Sequence, residues 1–221
     1  MEKQEKLRKQ IIAAAQYRFA VKKYDASKKI PQADWDTILE IARLSPSSFG
    51  WEPWLFLDIQ NEDMRQEMEE FCWGAIPSLK GADHVILYLV HKNLTPDSDF
   101  MQQRAAQTGR DISEDSVFYE KFSHFQKIDF DLNTERALFD WASKQAYIPL
   151  ANMMNAAAML GVDSCAIEGF NRELLESYLV KKNIVDTQEF GVAVMASFGY
   201  RDMEQPEKKR QSLDAIYKVI T

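Results

Sequence analysis

The sequence predicts a single α+β domain, and three observations carry that reading. Four short apolar runs, 54–59, 85–90, 162–167 and 190–198, have the length and composition of strands. Helical segments precede and separate them without the regular alternation that a doubly wound parallel sheet needs. No internal repeat, low-complexity stretch or obvious linker divides the 221 residues, enough for one domain with a sizeable core.

Taken in order, residues 5–16 place Leu7, Ile11, Ile12 and Ala15 at helical spacing, the mark of an amphipathic helix. A charged connector runs from Arg18 to Lys29. Trp35, Ile38, Leu39, Ile41 and Ala42 then mark a second helix, with Pro31 near its start and Pro46 just past its end. The loop Pro46–Pro53 is dense in turn residues and leads into the first strand. Residues 64–71 are predicted helical, between the first two strands. Residues 97–130 form an aromatic-rich excursion of helix and loop. From about Glu135 to Leu160 a long helix is apolar on most of its circumference and should be buried. Pro149 inside it removes one hydrogen bond and predicts a kink or break. The last two strands follow, then a basic segment at 207–210 and a tail.

A hydrophobic fraction of 46% and a charged fraction of 28% are those of an ordinary globular protein. The formal charge of -7 gives no support to nucleic-acid or anionic-membrane binding. Cys72 and Cys165 lack zinc-finger or CxxC spacing, so buried thiols in a reducing compartment are expected. The charged first ten residues do not read as a secretory signal, and Val85–Val90 is too short to cross a bilayer. A cytoplasmic protein with no membrane partner is the expectation.

Four segments can carry chemistry. Arg18, Phe19, Ala20, Val21, Lys22 and Lys23 combine a planar fork of donors with point charges suited to phosphate, although alone they read as a solvated turn. Pro46, Ser47, Ser48, Phe49 and Gly50 offer hydroxyls and a flexible glycine beside aromatics; a plain helix-to-strand turn is an equal reading. Glu168, Gly169 and Phe170 close a strand where glycine permits a ligand near the backbone, while the carboxylate could equally cap the next helix. Pro206, Glu207, Lys208, Lys209 and Arg210 form a positive run in an acidic chain, alone an exposed tail. His84, His91 and His124 lack metal-ligand spacing, and there is no nucleophile elbow, Walker loop or dinucleotide fingerprint.

Together and in this order, the four segments resemble the FMN-dependent NAD(P)H nitroreductase family. An R-x-x-x-K-x-[YF]-D pattern appears as Arg18, Lys22, Tyr24 and Asp25, and a PSS-x-x-x-x-PW pattern as Pro46, Ser47, Ser48, Pro53 and Trp54. The EGF element is Glu168 to Phe170; Gly199 to Arg201 lead to P-x-K-x-R at Pro206, Lys208 and Arg210. The likeness runs from about residue 10 to 212. It implies a mixed sheet wrapped by helices, a domain of residues 1–221, and an intertwined homodimer with two shared active sites. It also implies bound FMN, with NADH or NADPH as electron donor.

By the same resemblance, Arg18, Lys22, Lys208 and Arg210 would hold the FMN phosphate and ring. Pro46, Ser47, Ser48 and Gly50 would complete the site of the other subunit. Lys22 would stabilise negative charge near N1 and O2 of the reduced ring, the Gly169 N–H would face N5, and Glu168 would hold the local geometry. With no separate dinucleotide fold, donor and acceptor would take turns on the flavin, giving ping-pong kinetics. The acceptor would be nitroaromatic or similarly electron-poor and small, with quinones, azo dyes or enones as alternatives, and a flavin storage or sensor protein as a different class of reading.

The sequence departs from the pattern at three places. Phe19 and Ala20 remove a side-chain phosphate contact, leaving backbone N–H groups; Glu52 stands where glutamine is common; and Gly74–Ser78 lacks the usual polar ring contact. Trp73, Phe122 and Phe125 are the aromatics that could flank a flat substrate, against core packing as the simpler role.

Overall fold

The computed structural model describes residues 2–221. Helix α1 spans Glu2–Tyr17 and α2 Gln32–Arg43; strand β1 is Trp54–Asp58, followed by α3 Glu62–Met68 and α4 Ile76–Gly81. Strand β2 is His84–His91, α5 Asp99–Thr108 and α6 Val117–His124, which continues into one π-helical turn at Phe125–Asp129. Helix α7 is Glu135–Met159, β3 Asp163–Ile167, α8 Arg172–Lys181, β4 Phe190–Gly199 and α9 Leu213–Ile216.

The four strands lie in the order β1-β2-β4-β3 and all three ladders are antiparallel. The mixed character expected of the sheet is confined to one parallel bridge, Ala20 to Ser164, which draws the connector alongside β3. Strands β2 and β4 are central and buried on both faces, which is why they read as continuous apolar runs. Alternation still sorts their side chains. Ile86, Tyr88 and Val90 join Trp35, Ile38 and Trp141 on one face, whereas Val85, Leu87 and Leu89 join Met68, Leu79 and Leu179 on the other. The sheet is thus the middle layer between α2 with α7 and α3, α4 with α8.

Of the kink or break expected at Pro149 in helix α7, the break does not occur: the helix is continuous there, because Ala146, Pro149, Leu150 and Met153 are all buried and packing holds both flanks of the proline. The missing N–H is a local cost, outweighed by the apolar area the helix buries on both sides. Its start follows the rules: Thr134 caps it by accepting from the Ala137 N–H at 3.1 Å. Two helices escaped prediction. Residues 76–81 are too short for a periodic signal, and Leu213–Ile216 is a single turn.

Both thiols are buried, and burial pushes that of Cys72 up to about 12, as befits packing groups. His91 is stacked on Phe100 at 3.7 Å, with burial lowering its pKa to about 4. Among the described residues no His, Cys, Asp and Glu groups are placed to hold a metal, and no helix is long and apolar enough to cross a membrane.

Candidate active site

The connector after α1 is extended, and its alternation decides what faces outward. Phe19 and Val21 point into the core while Ala20 and Lys22 are exposed and Arg18 is half-buried, so Arg18, Ala20 and Lys22 share one face at strand spacing. The Phe19 side chain is therefore a core group, and only its backbone is available to a ligand. The segment leaving β4 lies on the other side of the connector: Tyr24 bridges to Arg201, and the Lys22 N–H donates to Met203 Sδ at 3.4 Å.

Arg201 fastens this crossing. Its Nε donates to Asp163 Oδ1 at 2.7 Å, its backbone N–H to Asp163 Oδ2 at 2.9 Å, and its Nη2 to the Tyr17 carbonyl at 3.1 Å. The guanidinium lies over the rings of Tyr17 and Phe19, 4.1 and 4.6 Å from their centroids.

This geometry gathers cations from both ends of the chain. Lys208 Nζ donates to the carbonyls of Ala15, at 2.6 Å, and Arg18. Its pKa is lowered by loss of solvent and then by the charges of Arg18 and Arg210. Lys22 Nζ rests 3.6 Å from Cys165 Sγ. Burial raises the Cys165 pKa, and the charges of Lys22 and Arg18 oppose that shift. Among the described residues none of Arg18, Lys22, Lys208 and Arg210 lies within ion-pair range of a carboxylate; neighbouring Lys23, by contrast, pairs with Asp202 at 2.5 Å.

The EGF element follows Cys165 along β3. At roughly 3.3 Å per residue, Glu168 lies about 10 Å further along the strand direction. Tyr147 on α7 donates its hydroxyl to Glu168 Oε1, and burial followed by that carboxylate raises the Tyr147 pKa. Gly169 presses against Gly74: the Gly74 N–H donates to the Gly169 carbonyl at 2.6 Å, and a Cβ on Gly169 would stand 2.7 Å from Gly74 Cα and 3.1 Å from the Trp73 ring. Only glycine fits on either side of this contact. The Gly169 N–H itself has no hydrogen-bond partner among the described residues.

The Pro46–Pro53 loop is held by three side-chain contacts. Ser47 Oγ accepts from the Glu52 N–H at 2.8 Å, Gln145 Oε1 accepts from the Ser48 N–H at 2.8 Å, and Arg104 pairs with Glu52. Phe49 and Glu52 hold positive φ of 55° and 51° beside Gly50 at 68°, a strained turn that these contacts stabilise. The loop is anchored to α7 at Gln145 and the EGF element at Tyr147. Those side chains lie about 200° apart around the helix axis. The two parts of the expected site thus sit on opposite sides of α7.

The aromatics divide as well. Phe122 is 0% exposed and packs against Phe49, Trp51 and Trp141, and Phe125 packs against Phe49, Phe122 and Phe130. Phe122 belongs to the core, the simpler of its two expected roles, because the excursion folds its aromatic stripe inward. Trp73 is 71% exposed beside Gly169. Phe122→Leu should therefore cost about 1–2 kcal/mol in denaturant unfolding, whereas Trp73→Leu should change stability by less than about 0.5 kcal/mol.

The profile of the nitroreductase family matches residues 15–200. The chain belongs to the nitroreductase family. A protein of Staphylococcus haemolyticus with the provisional name NAD(P)H nitroreductase is 43% identical over 213 residues, covering 95% of this chain and 97% of the relative. The family fold is equally plain among solved structures. A nitroreductase-like protein of Streptococcus mutans superposes with a TM-score of 0.77 at 19% identity, covering 97% of this chain and 100% of the other. A protein of Exiguobacterium sibiricum with the provisional name nitroreductase, solved in complex with FMN, gives 0.70 at 18% identity, covering 95% and 96%.

Several site features of this family member had no signal in the sequence. Asp163, Tyr147, Gln145 and Arg104 act across 38, 21, 97 and 52 positions of chain, beyond the reach of any local pattern.

Proposed function

We propose that this nitroreductase binds FMN in the cationic cleft and passes electron pairs from NADH or NADPH to small, electron-poor acceptors such as nitroaromatics. The observation that carries the reading is the convergence of Arg18, Lys22, Lys208 and Arg210, without carboxylate partners, in a chain of net charge -7. Holding unneutralised cations together is unfavourable without a polyanion, and a phosphate supplies one. The donor set fits a phosphorylated flavin in one further respect: the Gly169 N–H, beside Glu168, has no hydrogen-bond partner among the described residues.

FMN, when bound, supplies the two-electron chemistry. Lys22 offsets negative charge on the ring edge next to it, the Gly169 N–H supplies a fixed donor, and Glu168, locked by Tyr147, keeps that turn in place. Arg18, Lys208 and Arg210 retain the phosphate. Because the chain has no separate dinucleotide fold, donor and acceptor share one surface in turn, hence ping-pong kinetics.

The placement of the Pro46–Gly50 loop across α7 supports a homodimer in which Pro46, Ser47, Ser48 and Gly50 complete the partner's site. Leu7, Ile11 and Ile12 on α1, Met159 and Leu160 at the end of α7, Ile216 on α9 and Ile220 in the tail are all exposed in the single chain, apolar surface that a second copy would cover.

The test is the visible spectrum of purified protein before and after anaerobic NADPH, then NADH. Bound flavin that bleaches with either donor is expected; colourless protein that also takes up no added FMN would sink the reading. Arg210→Ala should weaken FMN retention about tenfold, as loss of a charged hydrogen bond does, measured by ultrafiltration of released flavin.

A further inference from the structure

Glu168 also borders a cavity of about 470 Å³ that the FMN reading leaves unused. One face of α7 supplies Asp140, Ser143, Lys144 and Tyr147, at helical spacing, and the start of α8 supplies Arg172. Of the two carboxylates of the wall, Asp140 pairs with Arg136 outside it at 2.7 Å, and Glu168 takes the hydroxyl of Tyr147 within it. The two cations are not. Among the described residues, neither Lys144 nor Arg172 lies within ion-pair range of a carboxylate. Arg172 stacks over Phe139 at 4.8 Å, and its Nε is buried with no hydrogen-bond partner. An unsatisfied guanidinium nitrogen is costly unless the group has a ligand.

We infer that this cavity receives a phosphate of the reduced nicotinamide dinucleotide, with Arg172 and Lys144 as its ligands. The inference rests on the proposed function, since it makes the donor the molecule that occupies the cavity. Of the two reactants, the donor necessarily carries phosphates beyond its ring, whereas a flat uncharged acceptor has nothing to offer two cations. Arg172 is also the first residue of α8, a ten-residue helix, so the positive end of the helix adds to the same field. The cavity lies beside Glu168, so a donor whose ring reaches the EGF element can place its phosphate there.

Calorimetric titration of the flavin-loaded protein with NADP+ and with NAD+ tests this, using Lys144→Ala and Arg172→Gln. Each variant should bind NADP+ about tenfold more weakly. A loss confined to NADP+ assigns the 2′-phosphate, and an equal loss for NAD+ assigns the pyrophosphate; both support the site. Anaerobic flavin reduction adds a kinetic arm: NADPH should slow about tenfold relative to 1-benzyl-1,4-dihydronicotinamide, a donor with no phosphate. Unchanged NADP+ affinity would overturn the inference. So would equal slowing with every donor, or dimer dissociation, which would show that the cations serve the flavin or a partner subunit. Protein that takes up no flavin would defeat the proposed function instead, and NADP+ titration, which requires no flavin, would still decide the cavity.

Discussion

Replacing Asp163 with asparagine is expected to lower stability by about 3–5 kcal/mol, because it strips the counter-charge from Arg201 inside the fold. The Asp163 side chain is 2% exposed and accepts from both the backbone and the guanidinium of Arg201, which also holds the Tyr17 carbonyl. Asparagine keeps the size and loses the charge, so a stranded cation, rather than a cavity, causes the effect. Denaturant unfolding at fixed protein concentration is the measurement, since the proposed homodimer would make the midpoint concentration-dependent. A loss under about 1 kcal/mol would mean that water reaches the pair. Because Arg201 ties the connector to the exit from β4, the variant should also retain FMN poorly even where it remains folded.

Lys22→Ala is expected to slow flavin reduction by about 10²–10³-fold, the usual cost of removing one preorganised charge from a site of developing negative charge. Lys22 is exposed on the outward face of the connector, and among the described residues its hydrogen bonds go to Cys165 Sγ and, from its backbone, to Met203. Stability and dimer assembly should therefore change little, and the loss should appear in stopped-flow reduction at saturating donor. Full flavin occupancy with unaltered reduction rates would remove Lys22 from the proposed machinery. Lys22→Arg is the informative companion: it keeps the charge but changes the shape, so partial recovery would assign the effect to charge itself.

The legibility of the site followed the range of its interactions. Arg18, Ala20 and Lys22 were readable as a motif, and their common face follows from strand alternation once the connector is extended. The cationic run at Lys208 and Arg210 was equally visible, yet nothing local placed it against Arg18; the crossing held by Arg201 does that. Phe122 illustrates the opposite case. An aromatic stripe carries the same signal whether it lines a pocket or fills a core, and here it turns inward against Phe49 and Trp141.

By itself the sequence determined the α+β class, all four strands and the principal helices, because these rest on periodicity and turn residues within short windows. Tertiary structure alone decided what those segments do to each other. Packing carries α7 through Pro149 without a break. The buried Asp163–Arg201 pair draws the two ends of the chain into one cationic cleft. The opposed bearings of Gln145 and Tyr147 put the Pro46–Gly50 loop and the EGF element on different sides of the same helix. Each outcome depends on side chains distant in sequence meeting away from water, where desolvation and burial, rather than propensity, set the energy.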